Sequence, residues 1–211
     1  MSTSDFHPSS SLQLASRMSA ASTSDEMIVR GIVDRKEAAA AALWARYGRL
    51  VYRLAERALG SPHEAEDLTQ DVFLCLLNKV RGLRDASSLR SFVVSVTIRT
   101  LKWQLRRKRR RQWWVDLTRT GGLPEIAVQG GDVEQVLHRF YRLLDKLGAE
   151  DRLVFVLRRV DGMQLQDVAD ATGHSLATVK RRLVKADAQL SEWMEHEPLL
   201  VAFLHQVGTA S

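Results

Sequence analysis

The side chains best suited to chemistry lie near the middle of the chain, in a strongly basic segment. Arg99, Trp103, Arg106 and Arg110 recur at steps of four, three and four residues, so a helix would place them on one face. Guanidinium groups bind phosphates through paired hydrogen bonds. An exposed aromatic ring offers a stacking surface for an unpaired base. This spacing of cations and an aromatic ring predicts a nucleic-acid interface.

The positive charge of the protein is concentrated in this segment. The chain of 211 residues has 31 Lys and Arg against 25 Asp and Glu, a formal net charge of +6. Eight of the basic residues and no acidic one lie between Arg99 and Arg111, and the remainder sums to −2. A local excess of this kind indicates contact with a polyanion. An anionic membrane surface and a merely solvated helix face are the alternatives.

The same helix needs an apolar face to pack on the rest of the molecule. The residues at steps of four, three and four on the opposite side are apolar: Val94, Ile98, Leu101 and Leu105. Phe92 and Val96 extend the cationic face toward its N-terminus. Trp103 can serve equally in packing against a neighbouring helix. For Trp113 and Trp114, which follow the arginine run, we favour packing beneath the next segment.

A helix-turn-helix pattern occupies residues 165–183. A short helix would pack Leu165, Val168 and Ala169, Gly173 would form the turn through a positive φ, and Ser175 would cap the second helix. The apolar stripe of the second helix consists of Val179, Leu183, Ala186 and Leu190. Its outward and flanking polar positions are Thr178, Lys180, Arg181, Arg182 and Lys185. Such a helix enters the major groove of DNA; an α-hairpin with a basic surface is the alternative. We interpret His174 as a partly exposed turn residue.

The chain as a whole reads as all-α, with two small helical domains joined by a flexible linker, the second containing the helix-turn-helix. The expected divisions are a disordered Ser-rich tail (1–25), a first domain (26–115), a linker (116–132), a second domain (133–194) and a C-terminal extension (195–211). The extension is either an additional packing helix or a surface for a partner. Residues 26–59 read as a single helical element that Gly60 ends.

The helix after Gly60 begins with a recognisable signal. Ser61 is placed to cap it, Pro62 to occupy its first position and Glu64 to complete a capping box. Its outward face carries Asp67, Gln70 and Asp71. His63 and Asp67 share a face, and we interpret them as a surface pair rather than metal ligands, because no second His or Cys lies nearby.

Composition argues against several classes of protein. One cysteine, Cys75, excludes a disulfide scaffold and fits a reducing compartment. No apolar run is long enough for a membrane span or a secretory signal, so we expect a cytoplasmic protein without membrane insertion. No arrangement of catalytic acids, bases or metal ligands is evident. We therefore expect a binding protein and not an enzyme, without metal or cofactor.

Two blocks of sequence resemble the extracytoplasmic-function (group IV) sigma factors of bacterial RNA polymerase. The first block is similar to region two of that family. It consists of Leu43–Tyr47 and Ala65–Phe73 and continues through the arginine helix. The segment from Leu147 to Ala186, which holds Asp167–Asp170 and Ala177–Leu183, is similar to region four. Phe92, Arg99 and Trp103 depart from the residues usual at those positions. The blocks stand in the family's order, with a short linker between them.

The resemblance implies a role for each predicted surface. The face of Asp67, Gln70 and Asp71 would bind core RNA polymerase, and the helix-turn-helix would read the minus-thirty-five element as duplex. The loop from Arg84 to Ser91 and the helix behind it would open and hold the minus-ten element, through Phe92, Arg99, Trp103, Arg106 and Arg110. An anti-sigma factor is a further expected partner. The alternatives are a stand-alone helix-turn-helix regulator, which would leave the acidic face unexplained, and an enzyme acting on nucleic acid.

Overall fold

The computed structural model describes residues 24–83, 85–118 and 132–209, and within these ranges every regular element is helical. Nine α-helices follow one another in the described parts: α1 Asp25–Val33, α2 Glu37–Leu59, α3 Pro62–Lys79, α4 Leu89–Thr118, α5 Asp132–Lys146, α6 Ala149–Phe155, α7 Leu165–Thr172, α8 Leu176–Glu195 and α9 Pro198–Thr209. The all-α prediction is confirmed. The tail up to residue 23, Arg84 of the predicted strand-opening loop and most of the predicted linker (residues 119–131) lie outside the described residues.

The first helical segment is broken, contrary to the single element predicted for residues 26–59. Arg35 adopts a left-handed conformation with φ of 58°, which separates α1 from α2. The two helices then pack closely, and a Cβ added at Gly31 would lie 2.6 Å from the Cβ of Ala39. The sequence did not reveal the break, because each helix buries an apolar face and the apolar spacing is helical in both. Ile28 of α1 and Leu43 of α2 are fully buried.

The turn from α2 to α3 follows the predicted signal. Gly60 has φ of 71° and ends α2, and its N–H donates to the carbonyl of Glu56. The hydroxyl of Ser61 accepts from the N–H of Glu64 at 3.3 Å, with Pro62 in the first turn of α3. The Glu64 carboxylate, which was predicted to complete a capping box at Ser61, is instead paired with Lys108 Nζ at 3.0 Å. The start of α3 is therefore also tied to α4.

The long helix α4 buries the predicted apolar stripe and also residues that were predicted to face outward. Val94, Ile98, Leu101 and Leu105 are at most 9 % exposed. The assignment of Val96 to the outward face is wrong, since Val96 is 4 % exposed, and Phe92 is half-buried against the core. The physical reason is that α4 contacts α2 and α3 as well as α6 and α7, so both sides of its apolar stripe are covered.

The second half of the chain contains the predicted helix-turn-helix, formed by α7 and α8. Gly173 has φ of 70° at the turn, and the hydroxyl of Ser175 accepts from the N–H of Thr178 at 3.2 Å. All four predicted apolar positions of α8 are buried: Val179, Leu183, Ala186 and Leu190. The extension folds as α9, which packs on α5 and α8 and buries Leu200.

The two halves of the molecule are docked against each other. Arg152, at the start of α6, is 2 % exposed and donates to the carbonyls of Ala58 and Leu59 at the end of α2, and it also pairs with Asp145. On the same side Asp161 accepts from Arg57 at 2.5 Å. Because buried charges require partners, these contacts fix the C-terminal end of α2 to the second half.

We predict that the glycine at this docking point tolerates substitution less than an equivalent glycine elsewhere. A Cβ at Gly60 would overlap the Tyr141 ring, whereas a Cβ at Gly162, with φ of 75°, meets no atom within 4 Å. Gly162→Ala should lower the free energy of unfolding by about 1 kcal/mol, the cost of an L-residue in the left-handed region. Gly60→Ala should lower it by about 2–4 kcal/mol, because overpacking is added. Urea unfolding measures both, and equal losses would contradict the docking.

Candidate nucleic-acid interface

The cationic face of α4 is exposed where the sequence placed it. Arg99, Arg106 and Arg110 are exposed, and Trp103 is 54 % exposed. The guanidinium carbon of Arg107 lies 5.4 Å from the centroid of the Trp103 ring. The cation therefore stacks on an indole ring that is itself half-exposed at the surface. Trp103 is thus a surface ring, which settles one alternative left open by the sequence. The side chains of Trp113 and Trp114 lie outside the described residues.

Glu150 of α6 supplies a counter-charge to α4. Its Oε1 accepts from Lys102 Nζ at 2.6 Å and from Arg106 Nη2 at 2.7 Å. Its Oε2 lies 2.8 Å from Nε2 of His174 in the turn between α7 and α8. His174 is therefore a partly exposed turn residue, as predicted, with a carboxylate partner that the sequence did not indicate. One carboxylate links the basic helix and the helix-turn-helix.

Asp151 supplies a counter-charge to α8, the second helix of the helix-turn-helix. Its two oxygens accept from Arg182 at 2.7 Å and from Lys185 at 2.9 Å. The side chain of Asp151 is only 5 % exposed, although Lys185 is largely exposed. The two basic residues are held against α6, so in this arrangement one of their two positive charges is compensated within the protein.

The pKa values of both carboxyls are lowered. Burial alone would raise the pKa of Glu150, but hydrogen bonds from Lys102 and His174 outweigh it. Burial likewise acts to raise the pKa of Asp151, and hydrogen bonds from Lys185 and Arg182 overcome it. Both groups therefore stay ionised at neutral pH, which is the state that pairs with cations.

The remaining polar positions of α8 differ in accessibility. Lys180 and Arg181 are exposed, whereas Thr178 is half-buried and its hydroxyl lies 2.9 Å from the hydroxyl of Ser175. Between the cations, Val184 is 68 % exposed, a residue that sequence reasoning missed. An exposed valine on such a helix can contact the methyl group of thymine. Its spacing of four residues from Lys180 was the feature of the sequence that could have indicated its exposure.

The acidic face of α3 is exposed as predicted, and it has an apolar neighbour. Asp67, Gln70 and Asp71 are all exposed, and Asp67 Oδ2 lies 3.3 Å from His63 Nδ1 in an exposed pair. Leu74, one turn further on, is 62 % exposed. Apolar groups surrounded by polar ones are characteristic of protein interfaces.

Trp44 adds a second apolar group to this side of the first half. Its side chain is 49 % exposed, and its ring lies 4.5 Å from the ring of Phe73 between their centroids. The sequence did not indicate that Trp44 or Leu74 is exposed. For Trp44, the apolar spacing of the helix suggested burial instead.

The structure brings together residues that the sequence assigned to separate domains. Arg106 of α4 and Arg182 of α8 line the same cleft, on either side of Glu150 and Asp151. Sequence reasoning missed both carboxylates, because their partners are remote along the chain. Within the described helices, none is at once long and apolar enough to cross a membrane.

Two family models match the chain in order. The model described as sigma-70 region 2 matches residues 43–111, and the model described as sigma-70, region 4 matches residues 137–190. The first match spans α2 to α4 up to Arg111, and the second contains the helix-turn-helix.

Curated proteins similar to this chain are sigma factors. The ECF RNA polymerase sigma factor SigE of Mycolicibacterium smegmatis is 27 % identical over 154 residues, which cover 68 % of this chain and 57 % of SigE. The RNA polymerase sigma-E factor of Streptomyces avermitilis is 29 % identical over 153 residues, covering 70 % of this chain and 80 % of the relative. The ferric citrate uptake sigma factor FecI of Escherichia coli is 28 % identical over 135 residues, which cover 62 % of this chain and 76 % of FecI.

A solved structure has the same fold. CnrH, determined in complex with the cytosolic domain of CnrY, aligns with a TM-score of 0.56 at 21 % identity. The alignment covers 83 % of this chain and 99 % of CnrH.

We predict that Glu150 and Asp151 stabilise the docked arrangement in a pH-dependent way. Their ordinary pKa values are 4.5 and 3.8, and both are lowered in the folded protein. Their contribution is therefore present above those ordinary values and is lost as the pH falls through the lowered ones. Urea unfolding between pH 7 and pH 3 should show a flatter decline for Glu150→Gln with Asp151→Asn than for the wild type.

The matched control for this experiment is an exposed carboxylate on the neighbouring helix α7. Asp167→Asn should leave the shape of the pH profile unchanged, because Asp167 is exposed. A double variant whose profile keeps the wild-type slope would show that the two carboxylates do not stabilise the docked state.

Proposed function

Because this chain belongs to the sigma-70 family, in its extracytoplasmic-function group, it is a sigma factor that associates with RNA polymerase, and we propose how its surfaces divide that work. Sigma factors are transcription initiation factors rather than enzymes. We propose that α4 binds the minus-ten element, α8 the minus-thirty-five element and α3 the core polymerase, and that the chain has no catalysis of its own. The observation that carries the proposal is the presence of one exposed cationic helix in each matched region.

The minus-ten role is assigned to the exposed face of α4. Arg99, Arg106 and Arg110 can hold phosphates, and the half-exposed Trp103 can stack on an unpaired base. Phe92 is half-buried, so it would contribute only its exposed edge. A surface that combines rings with cations suits a strand that has left the duplex.

The minus-thirty-five role is assigned to the exposed face of α8. Lys180 and Arg181 are free to reach phosphates or base edges in a major groove, and Val184 can contact a thymine methyl group. Lys185 is exposed on the same helix, whereas Arg182 is half-buried and flanks this face. Thr178, whose hydroxyl contacts Ser175, would contribute from the beginning of the helix.

Binding of DNA requires an exchange of partners. Arg106 is paired with Glu150, and Arg182 and Lys185 with Asp151. DNA phosphates would compete with the carboxylates for these cations. We therefore propose that the halves separate, or that these side chains turn outward, when the protein binds a promoter.

The polymerase-binding role is assigned to the exposed face of α3. Asp67, Gln70 and Asp71 would pair with a basic surface of the partner, which favours orientation and association rate. Leu74 would supply an apolar contact beside these polar groups, since protein interfaces combine apolar contacts with a polar rim.

Two further expectations belong to the proposal. CnrH, which has the same fold, was determined with a second protein, the cytosolic domain of CnrY, and this supports an anti-sigma partner for the present chain. We also propose that the protein acts in the cytoplasm, where core polymerase and promoter DNA are found. A stand-alone helix-turn-helix regulator is not favoured, because both sigma-70 regions are matched.

The proposed function is tested by run-off transcription with core RNA polymerase and genomic promoter fragments. We expect transcripts from discrete start sites only when the protein is added. A folded protein that supports no transcript from any fragment would contradict the proposal, and duplex binding without co-purification of the polymerase would instead support a stand-alone regulator.

The division of roles predicts separable defects. Arg181→Ala and Lys185→Ala should weaken binding of a minus-thirty-five duplex, by about 1–3 kcal/mol where a base-edge contact is lost. Asp67→Ala with Asp71→Ala should impair association with core polymerase and leave duplex binding unchanged. Electrophoretic mobility shift and co-purification with core enzyme measure the two properties.

A further variant tests the apolar contact of the α3 surface. Leu74→Ser should reduce polymerase association without loss of stability, because Leu74 is exposed. Val133→Ser on α5 is the matched control, since Val133 is 66 % exposed on the other half. The assignment of roles fails if the α3 and α8 variants share one phenotype.

A further inference from the structure

A cleft lies between α4 and the second half of the chain, where α6 begins. Its volume is about 730 Å³, within the range of small-molecule sites. The residues that matter for its chemistry come from both halves: Trp103, Arg106, Arg109, Arg110, Gly148 and Arg182.

The cleft has more positive than negative charge. Its two carboxylates, Glu150 and Asp151, are each already bound by at least two cations. Arg109 and Arg110 are exposed, and among the described residues neither forms an ion pair. Two guanidinium groups without carboxylate partners on one wall make the cleft a site for an anion.

A second observation concerns the opposite wall. Nε of Arg182 is buried and has no hydrogen-bond acceptor among the described residues, although Nη1 of the same guanidinium holds Asp151. A buried N–H without an acceptor is unfavourable. A small rotation toward a bound oxygen would give this donor a partner.

Trp103 adds an aromatic surface to the same cleft. More than half of its side chain is exposed, and it lies one helical turn before Arg106 and two turns before Arg110. An indole beside guanidinium groups suits a ligand that combines a planar ring with phosphate, since stacking and charge then act together.

We propose that this cleft binds a free nucleotide. The phosphates contact Arg106, Arg109, Arg110 and Arg182, and the base stacks on Trp103. The volume of about 730 Å³ is sufficient for one nucleotide. The ligand bridges α4 and α8 and so favours the docked arrangement.

Competition with promoter DNA follows, because the nucleotide occupies Arg106, Arg110 and Arg182. This consequence rests on the proposed function, whereas binding of the nucleotide itself does not. The first measurement is therefore of nucleotide binding to the whole chain of 211 residues, with no DNA or polymerase present.

Gly148 offers a way to fill the cleft without removing a charge. Its φ of −61° is accessible to any L-residue, and an added Cβ would lie 3.2 Å from Arg109 Nη1. Gly148→Leu therefore projects a side chain against Arg109. Arg109→Ala is a second variant, which removes one guanidinium group from the wall of the cleft and leaves the backbone unchanged. Arg81→Ala, an exposed arginine on the first half, is the matched control.

The experiment is isothermal titration of ADP, without magnesium, into the wild type and the three variants, with thermal unfolding to verify their fold. We expect wild-type binding, a loss of about tenfold or more in affinity for Gly148→Leu and Arg109→Ala, and no change for Arg81→Ala. Pyrophosphate should bind more weakly than ADP, because it lacks the ring. Absence of ADP binding, or equal affinity in all four proteins, would overturn the proposal.

A short single-stranded oligonucleotide distinguishes the cleft from the outer face of α4. Gly148→Leu should leave oligonucleotide binding unchanged while it weakens ADP binding. If both ligands lose affinity together, ADP is reporting the nucleic-acid face of α4, and the separate nucleotide site is overturned.

Discussion

A single buried guanidinium determines how the two halves of this protein meet. Arg152 is 2 % exposed, and a charge so deeply buried requires compensation from every side. It receives this from Asp145 and from the carbonyls of Ala58 and Leu59. Those carbonyls end α2, where unpaired acceptors and the negative end of the helix dipole favour a cation. The end of α2 thereby becomes the docking point for the second half.

The electrostatics of the interface follow from that docking. Once Arg152 is seated, Glu150 and Asp151 face the cations of α4 and α8. The pairs made by Arg106 and Lys185 contribute less than the others, because these two side chains are exposed and solvent screens them. DNA presents a much denser row of charges, so it can replace several such pairs at once. The carboxylates therefore keep the cations ordered without holding them permanently.

The two cationic helices differ in the uncharged side chains that lie beside their cations. On α4 the cations stand beside a half-exposed indole, and on α8 they stand beside an exposed valine. Stacking favours an unpaired base, whereas a methyl contact favours the floor of a major groove. Positive side chains on the two helices thus serve different forms of DNA in the proposed function.

The sequence alone determined the all-α class, the glycine and serine caps, the exposed face of α3 and the buried stripe of α8, because these depend on local spacing and on short-range hydrogen bonds. The signals at Gly60, Ser61, Gly173 and Ser175 act within one turn of chain, and all proved correct. The break at Arg35 and the burial of Val96 were decided only by tertiary structure, since they depend on which helices pack together. Glu150 and Asp151 were likewise invisible as partners of α4 and α8. Ion pairs between residues more than thirty positions apart leave no periodic trace, so only the folded arrangement assigns them.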